Sequence, residues 1–240
     1  MTDTTPQPPR LILFPVPLSA EPPATVLPAY NMQLLMQVRH FVVENLRSAR
    51  RFLRSVSRDI VIDDLDLREL SEHTPASEVE GLLAPLEHGC DLGVISEAGC
   101  PAVADPGADL VALAQRRGYE VVPLVGPSSI LMSLMASGFN GQCFTFLGYL
   151  PVDGAARAEA LREMERDIRR RRRTQIFIET PYRNNRLIAE LVRALPPDML
   201  LCVASDITGQ RQSIRTMPLR AWARQTFDYS KIPTIFLLYS

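Results

Sequence analysis

Residues 96–107 read Ser96-Glu97-Ala98-Gly99-Cys100-Pro101-Ala102-Val103-Ala104-Asp105-Pro106-Gly107. Glycine at 99 and 107 lets the backbone approach a ligand closely or turn through positive φ, while Pro101 and Pro106 fix the loop between them. Such a loop presents carbonyls and amides rather than side chains. That suits a sulfonium ligand, whose positive charge and polarised methyl group can lie against backbone oxygens. The plainer alternative is a loop that only reverses the chain.

The other chemistry-bearing residues are sparser. Cys90, Cys100, Cys143 and Cys202 form no CxxC pair, and His40, His73 and His88 lack metal-ligand spacing, so neither a metal nor a disulfide is expected. The sharpest charge feature is the arginine run 169–173, preceded by Arg157, Arg162 and Arg166. It reads either as a solvated helix end, where cations suit the dipole, or as a phosphate-binding patch for RNA.

The elements that must position these groups alternate along the chain. Short apolar runs at 11–14, 41–43, 91–95 and 120–124 predict strands, and helical patterns cover 32–37, 45–54 and a stretch beginning at Gly107. Ser77 and Glu80 have the spacing of a capping box, predicting a helix from there to Gly89. Residues 96–107 then begin at the carboxyl end of a strand, where open α/β sheets bind ligands. The rhythm continues with helices at 129–137, 155–170 and 183–195, and strands at 144–147, 175–178, 200–204 and 234–239. This predicts an α/β class with parallel strands and right-handed crossovers. Residues 1–9, polar and rich in proline, predict a frayed tail. The turn Val125-Gly126-Pro127 predicts a boundary between domains 1–124 and 125–240.

Composition narrows the function classes. The 240 residues, 46% hydrophobic and with a formal net charge of −1, describe a globular chain with no global electrostatic footprint for nucleic acid. No apolar stretch reaches the roughly 20 residues of a membrane span, and the first residues lack signal-peptide order, so a cytoplasmic address is expected. Twenty-five of the 26 basic residues are Arg, a coding bias that also favours phosphate recognition.

The loop 96–107 resembles the S-D-A-G-T-P-x-x-x-D-P-G loop of the tetrapyrrole methylase superfamily, in the branch of the small-subunit ribosomal RNA 2′-O-methyltransferases. Glu97 stands for the Asp and Cys100 for the Thr. Further likenesses follow in the family's order: 122–129 to its V-P-L-P-G-P turn, 146–151 to F-x-G-F-L-P, 176–183 to I-F-Y-E-S-x-H-R, and 201–204 to L-C-V-A. The resemblance implies two α/β domains, the N-terminal one on the acceptor side and the C-terminal one on the cofactor side, with S-adenosylmethionine in the cleft between them, and usually a homodimer. It places Ser96, Glu97, Ala98, Gly99, Cys100 and Pro101 against the methionine part of the cofactor. Ser128, Ser129 and Ile130 open a helix whose free N–H groups suit a carboxylate, and Thr180 and Ala204 resemble adenosine-side positions. For Ser128 an ordinary N-cap is an equal reading.

Two segments depart from the family. The first-strand loop, P-T-P-I-G-N in relatives, is here 14–20 and has no glycine. The segment E-D-T-R-R-T-G-K corresponds to 44–51, keeping Glu44 and Arg47 but with Asn45 and Leu46 for Asp and Thr. Glu44 and Arg47 are therefore the candidate catalytic pair, the alternative being an i,i+3 surface ion pair. Three functions follow: methylation of ribosomal RNA on a ribose hydroxyl, methylation of a tetrapyrrole or other small molecule, or cofactor binding without catalysis.

Overall fold

The structure, a computed structural model, describes residues 8–71 and 73–240. The tail expected at 1–9 lies mostly outside them. The chain divides into two units, the first running to Pro127 and the second Ser128–Ser240.

The first unit runs β1 (Arg10–Phe14), α1 (Ala29–Leu35), β2 (His40–Val43), α2 (Leu46–Val56), β3 (Asp66–Glu69), α3 (Ala76–Val79), α4 (Ala84–Glu87), β4 (Leu92–Ile95), α5 (Gly107–Arg116) and β5 (Glu120–Pro123). Its five strands are all parallel, in the order β3-β2-β4-β1-β5. The central strands are short continuous apolar runs because helices cover both faces. Leu11 and Leu13 of β1 pack with Leu83, Leu86 and Leu110 on one side, and Ile12 and Phe14 with Phe41 and Leu53 on the other. Gly93 in β4 is required here, since a Cβ would run into the ring of Phe41, which stands 6.0 Å from that of Phe14.

Two expectations change in this unit. The capping box at Ser77 does not form: Ser77 lies inside α3, which starts after Pro75 with no side-chain cap. Instead of one helix to Gly89 there are α3, a 3-10 turn at Glu80–Leu83 and α4, because Pro85 has no N–H to donate to a continuous ladder. The polar edge strand β3 carries Asp66, Arg68 and Glu69, so it lacks the apolar pattern of a strand and suits an edge that must not recruit another chain.

The second unit runs α6 (Ser129–Ser137), β6 (Phe144–Tyr149), α7 (Gly154–Arg171), β7 (Thr174–Ile178), α8 (Asn184–Ala194), β8 (Leu200–Ser205), β9 (Ser213–Pro218), α9 (Leu219–Trp222) and β10 (Thr234–Tyr239). Its sheet order is β6-β7-β10-β8-β9. Only β6 and β7 are parallel; β10 runs antiparallel to both β7 and β8, and β8 to β9. The expected parallel sheet is thus corrected for this unit. The link from β8 to β9 is too short for a crossover helix, so it must reverse the chain. Asp206 (φ 48) and Thr208 (φ 67) make the turn in the left-handed region. Asp206 stabilises it by accepting from Gly209 N (2.8 Å) and, through Oδ2, from Arg211 N (2.8 Å).

One face of this sheet is covered by α7, α8 and α9, where Ile168, Leu187, Ile188, Leu191 and Trp222 pack on Phe177 and Phe236. The other face is covered by α6, whose Leu134 packs on Ile176, Cys202, Ile235 and Leu237. Among the described residues no helix is long and apolar enough to cross a membrane.

Candidate functional site

β4 lies between β1 and β2, so the loop 96–107 leaves the carboxyl edge of the parallel sheet near its middle. Its first turn is clamped to the loop after β1: Val16 N donates to Gly99 O (2.9 Å) and Gly99 N to Val16 O (3.1 Å). Gly99 sits at φ 75, and a Cβ there would stand 3.1 Å from Leu18 Cδ2. The first-strand loop that lacks the family glycine therefore packs a leucine against the glycine of the second loop. Farther along, Ala102 (φ 63) and Ala104 (φ 56) hold left-handed conformations that cost a non-glycine residue about 1–2 kcal/mol each. Backbone strain of this kind persists where the surroundings over-determine it. Asp105 Oδ1 closes the loop by accepting from Gly107 N (2.6 Å) at the start of α5.

Two carboxyls support the loop. Glu44, just after β2, accepts from Glu97 N through Oε2 (2.8 Å), while its own N–H donates to Ile95 O (3.1 Å). Burial pushes the Glu44 carboxyl above its usual range, the Glu97 amide pulls it back, and the nearby charges of Asp105 and Glu97 push it further up. Burial likewise pushes Asp105 up, against the pull of the Gly107 and Ala102 amides and of Glu44. Asp105 Oδ2 is buried with no hydrogen-bond partner among the described residues. The two carboxyls are coupled, Asp105 pushing Glu44 up and Glu44 pulling Asp105 down.

Ser96 is 6% exposed, and its hydroxyl has no partner among the described residues. A buried hydroxyl without a bond is costly and marks a place where a ligand or water belongs. It lines a cavity of about 650 Å³ together with Glu97, Ala98, the loop after β1, and Arg51 and Phe52 of α2. Cys100, behind it, lies 3.4 Å from Pro127 O, and burial pushes its thiol up, away from the thiolate form. Pro101 is buried. Of the loop residues, Ser96, Glu97 and Ala98 line the cavity, whereas Gly99, Cys100 and Pro101 lie outside its lining.

Arg47 is exposed on the first turn of α2 and, among the described residues, makes no ion pair with Glu44. Asn45, in the place of the family's Asp, caps this helix: its Oδ1 accepts from Arg47 N and Ser48 N (both 3.0 Å). An Asp could do the same, so the change keeps the cap. The sequence marks 45–54 as an arginine-rich helix but assigns its remaining arginines no role. Arg47, Arg50, Arg51 and Arg54 line a depression of about 450 Å³ with Leu46, and the helix contains no acidic residue. The signal was available in the missing acids.

In the second unit Ser128 caps α6, its Oγ accepting from Leu131 N (3.4 Å), and Ser129 and Ile130 form the first turn. Thr180 follows β7, and its N–H donates to Glu179 Oε1 (2.7 Å). Ala204 is fully buried within β8, between Ile235 of β10 and Ile214 of β9. The Glu179 side chain is 2% exposed and accepts from Arg157 Nη2 (2.9 Å) and Arg183 Nη2 (2.7 Å). Burial alone would raise its pKa; the two guanidiniums and the Thr180 amide outweigh that and hold it below the usual range.

The arginines of α7 are mostly neutralised. Arg162 and Arg166 bond Glu159 (2.7 and 2.9 Å), Arg169 bonds Glu165 (2.9 Å), and Arg171 and Arg173 share Asp167 (3.5 and 3.4 Å). Arg172 lies 4.9 Å from the centre of the Tyr239 ring. Three of the five arginines of the run are thus paired with acids, while Arg170 has no acid partner among the described residues.

No family model matches the chain. Similar curated proteins include the ribosomal RNA small subunit methyltransferase I of Vibrio cholerae, 30% identical over 173 residues, covering 71% of this chain and 59% of that protein. That of Mesorhizobium japonicum is 36% identical over 155 residues, covering 63% and 50%. The chain thus spans about half to three fifths of the length of these relatives. Among solved structures, that of the methyltransferase CobJ superposes with a TM-score of 0.64 at 17% identity, covering 98% of this chain and 95% of the other. The chain is homologous, at moderate identity, to ribosomal RNA small subunit methyltransferase I proteins, and it has the α/β fold seen in the methyltransferase CobJ.

Proposed function

We propose that this protein is an S-adenosylmethionine-dependent methyltransferase that acts on ribosomal RNA, at a ribose 2′-hydroxyl. The observation that carries the reading is the clamped, strained loop 96–107, with a buried, unpartnered Ser96 hydroxyl at the edge of a cavity, in a chain homologous to ribosomal RNA methyltransferases. The residues fit the cofactor: Gly99 turns through positive φ, and Ser96 has hydrogen-bonding capacity to spare. When bound, the cofactor supplies an electrophilic methyl group on a good leaving group.

The chain's part is then alignment, exclusion of water and management of one proton. Ser96, Glu97, Ala98, Gly99, Cys100 and Pro101 hold the methionine side. The first-turn amides at Ser129 and Ile130, behind the Ser128 cap, suit its carboxylate, and Thr180 and Ala204 are assigned to the adenosine side, Ala204 as a buried residue of β8 rather than as a contact. A ribose hydroxyl is a poor nucleophile near neutral pH. Glu44, whose carboxyl is pushed toward neutrality beside Asp105, is assigned as proton acceptor, and Arg47 as the group that steadies negative charge.

A homodimer in the cytoplasm is the accompanying proposal. Purified protein incubated with methyl-labelled S-adenosylmethionine and undermethylated small ribosomal subunits should place label on RNA ribose. Cofactor binding without any transfer would exclude this function.

A further inference from the structure

We infer that the arginine face of α2 is the surface along which an RNA strand lies, its phosphates on Arg47, Arg50, Arg51 and Arg54 and one nucleotide turned into the adjoining cavity. This rests on the reading of the chain as an RNA methyltransferase and adds where the RNA is held.

The four arginines are exposed, and none makes an ion pair among the described residues. Their spacing, i, i+3, i+4 and i+7, puts them on one helix face, where each faces like charges three and four residues away. Arg47 stands in the first turn, where the Glu69 carboxylate accepts from Leu46 N (3.3 Å), but among the described residues no carboxylate pairs with any of the four guanidiniums. A helix built for stability alone would place a glutamate at such positions, as α7 does. Four like charges on one helix face without a paired acid suit an anion from outside.

Two depressions meet at this face. Arg51 lines both the 450 Å³ groove with Arg47, Arg50 and Arg54 and the 650 Å³ cavity with Phe52 and Ser96. A chain of phosphates bound in the first therefore leads into the second, beside the loop 96–107. At 1.5 Å of rise per residue the four arginines extend about 10 Å, roughly three nucleotides at about 3.4 Å each. Guanidinium forks match phosphate oxygens, and the part-exposed Phe52 ring offers a face for an unstacked base. An acidic protein would use the charge but leave the cavity beside Ser96 without an occupant.

The test uses the full chain, a fluorescently labelled single-stranded fragment of small-subunit ribosomal RNA, and anisotropy across a salt series. The parent should bind with affinity falling steeply as salt rises. The double variant Arg50→Gln, Arg54→Gln should bind about tenfold more weakly at low salt, with a log–log salt slope smaller by about 1.4. Arg50→Lys, Arg54→Lys, which keeps the charge, should retain the slope, and Arg169→Gln, Arg170→Gln should leave binding unchanged. Equal binding by the Gln double, loss in the α7 double instead, or no RNA binding by the parent overturns the inference. Calorimetry with S-adenosylhomocysteine on the same proteins separates the two claims: bound cofactor product with RNA held elsewhere sinks only the α2 surface, whereas no binding of that product sinks the methyltransferase reading.

Discussion

Helices α2 and α7 are both rich in arginine, and they use it in opposite ways. In α7 the arginines alternate with Glu159, Glu163, Glu165 and Asp167 at spacings that pair them on the helix itself, and Arg157 turns inward to Glu179. In α2 the four arginines have no acid within the helix. The longer run carries less usable charge. What decides whether an arginine surface can hold a polyanion is the placement of acids three and four residues away, not the number of guanidiniums.

The largest effect expected on this contrast lies at Glu179. Its carboxylate is buried against Arg157, whose side chain is 11% exposed, so Glu179→Ala strands a buried cation with only Glu190 nearby (3.1 Å). Breaking such a pair costs about 3–5 kcal/mol, which urea unfolding would read, whereas Arg51→Ala on exposed α2 should stay within about 0.5 kcal/mol. Similar losses at both positions would erase the distinction between structural and free arginines. The pH dependence follows in sign: the folded pKa of Glu179 is lowered, so its stabilisation is present above the usual 4.5 and is lost as pH falls through the folded value.

Glu44 behaves the other way. Its folded pKa is raised, so its contribution is complete below 4.5 and is lost as pH rises through the raised value. Glu44→Gln keeps an acceptor for the Glu97 amide and should be at least as stable as the parent at neutral pH. As the assigned proton acceptor, its loss should slow methyl transfer about a hundredfold with S-adenosylhomocysteine binding unchanged. A drop of only a few-fold would reduce Glu44 to a prop for the loop. The parent's rate should fall in acid as Glu44 takes up its proton.

Much of this was legible in the chain's own letters. The alternating apolar runs pointed to the α/β class, and Gly99 with Pro101 and Pro106 marked the loop. What stayed hidden depends on contacts distant in sequence. Asp105 meets Glu44 only because β2 and β4 are neighbours in the sheet. The antiparallel strand β9 has polar and exposed positions, Arg215 and Thr216, that mask its alternation. The arginine run at 169–173 is visible as repetition, while the unpaired set on α2 is defined by residues that are missing.

The smallest effect is the most direct measure of that missing charge. Arg47→Gln relieves repulsion from Arg50 and Arg51, offset in part by lost attraction to the Glu69 carboxylate at the helix start. It should raise stability by about 0.2–0.5 kcal/mol. Arg169→Gln removes an i,i+4 partner from Glu165, and with it a cation from the last turn of α7, and should lower stability by about 0.3–0.5 kcal/mol. Both shifts should shrink in high salt, because both are surface Coulomb terms. Thermal melts of the two single variants at low and high salt would show the opposite signs. If Arg47→Gln lowers stability as Arg169→Gln does, then Arg47 has a partner within the fold, and the case for an external anion at the start of α2 falls with it.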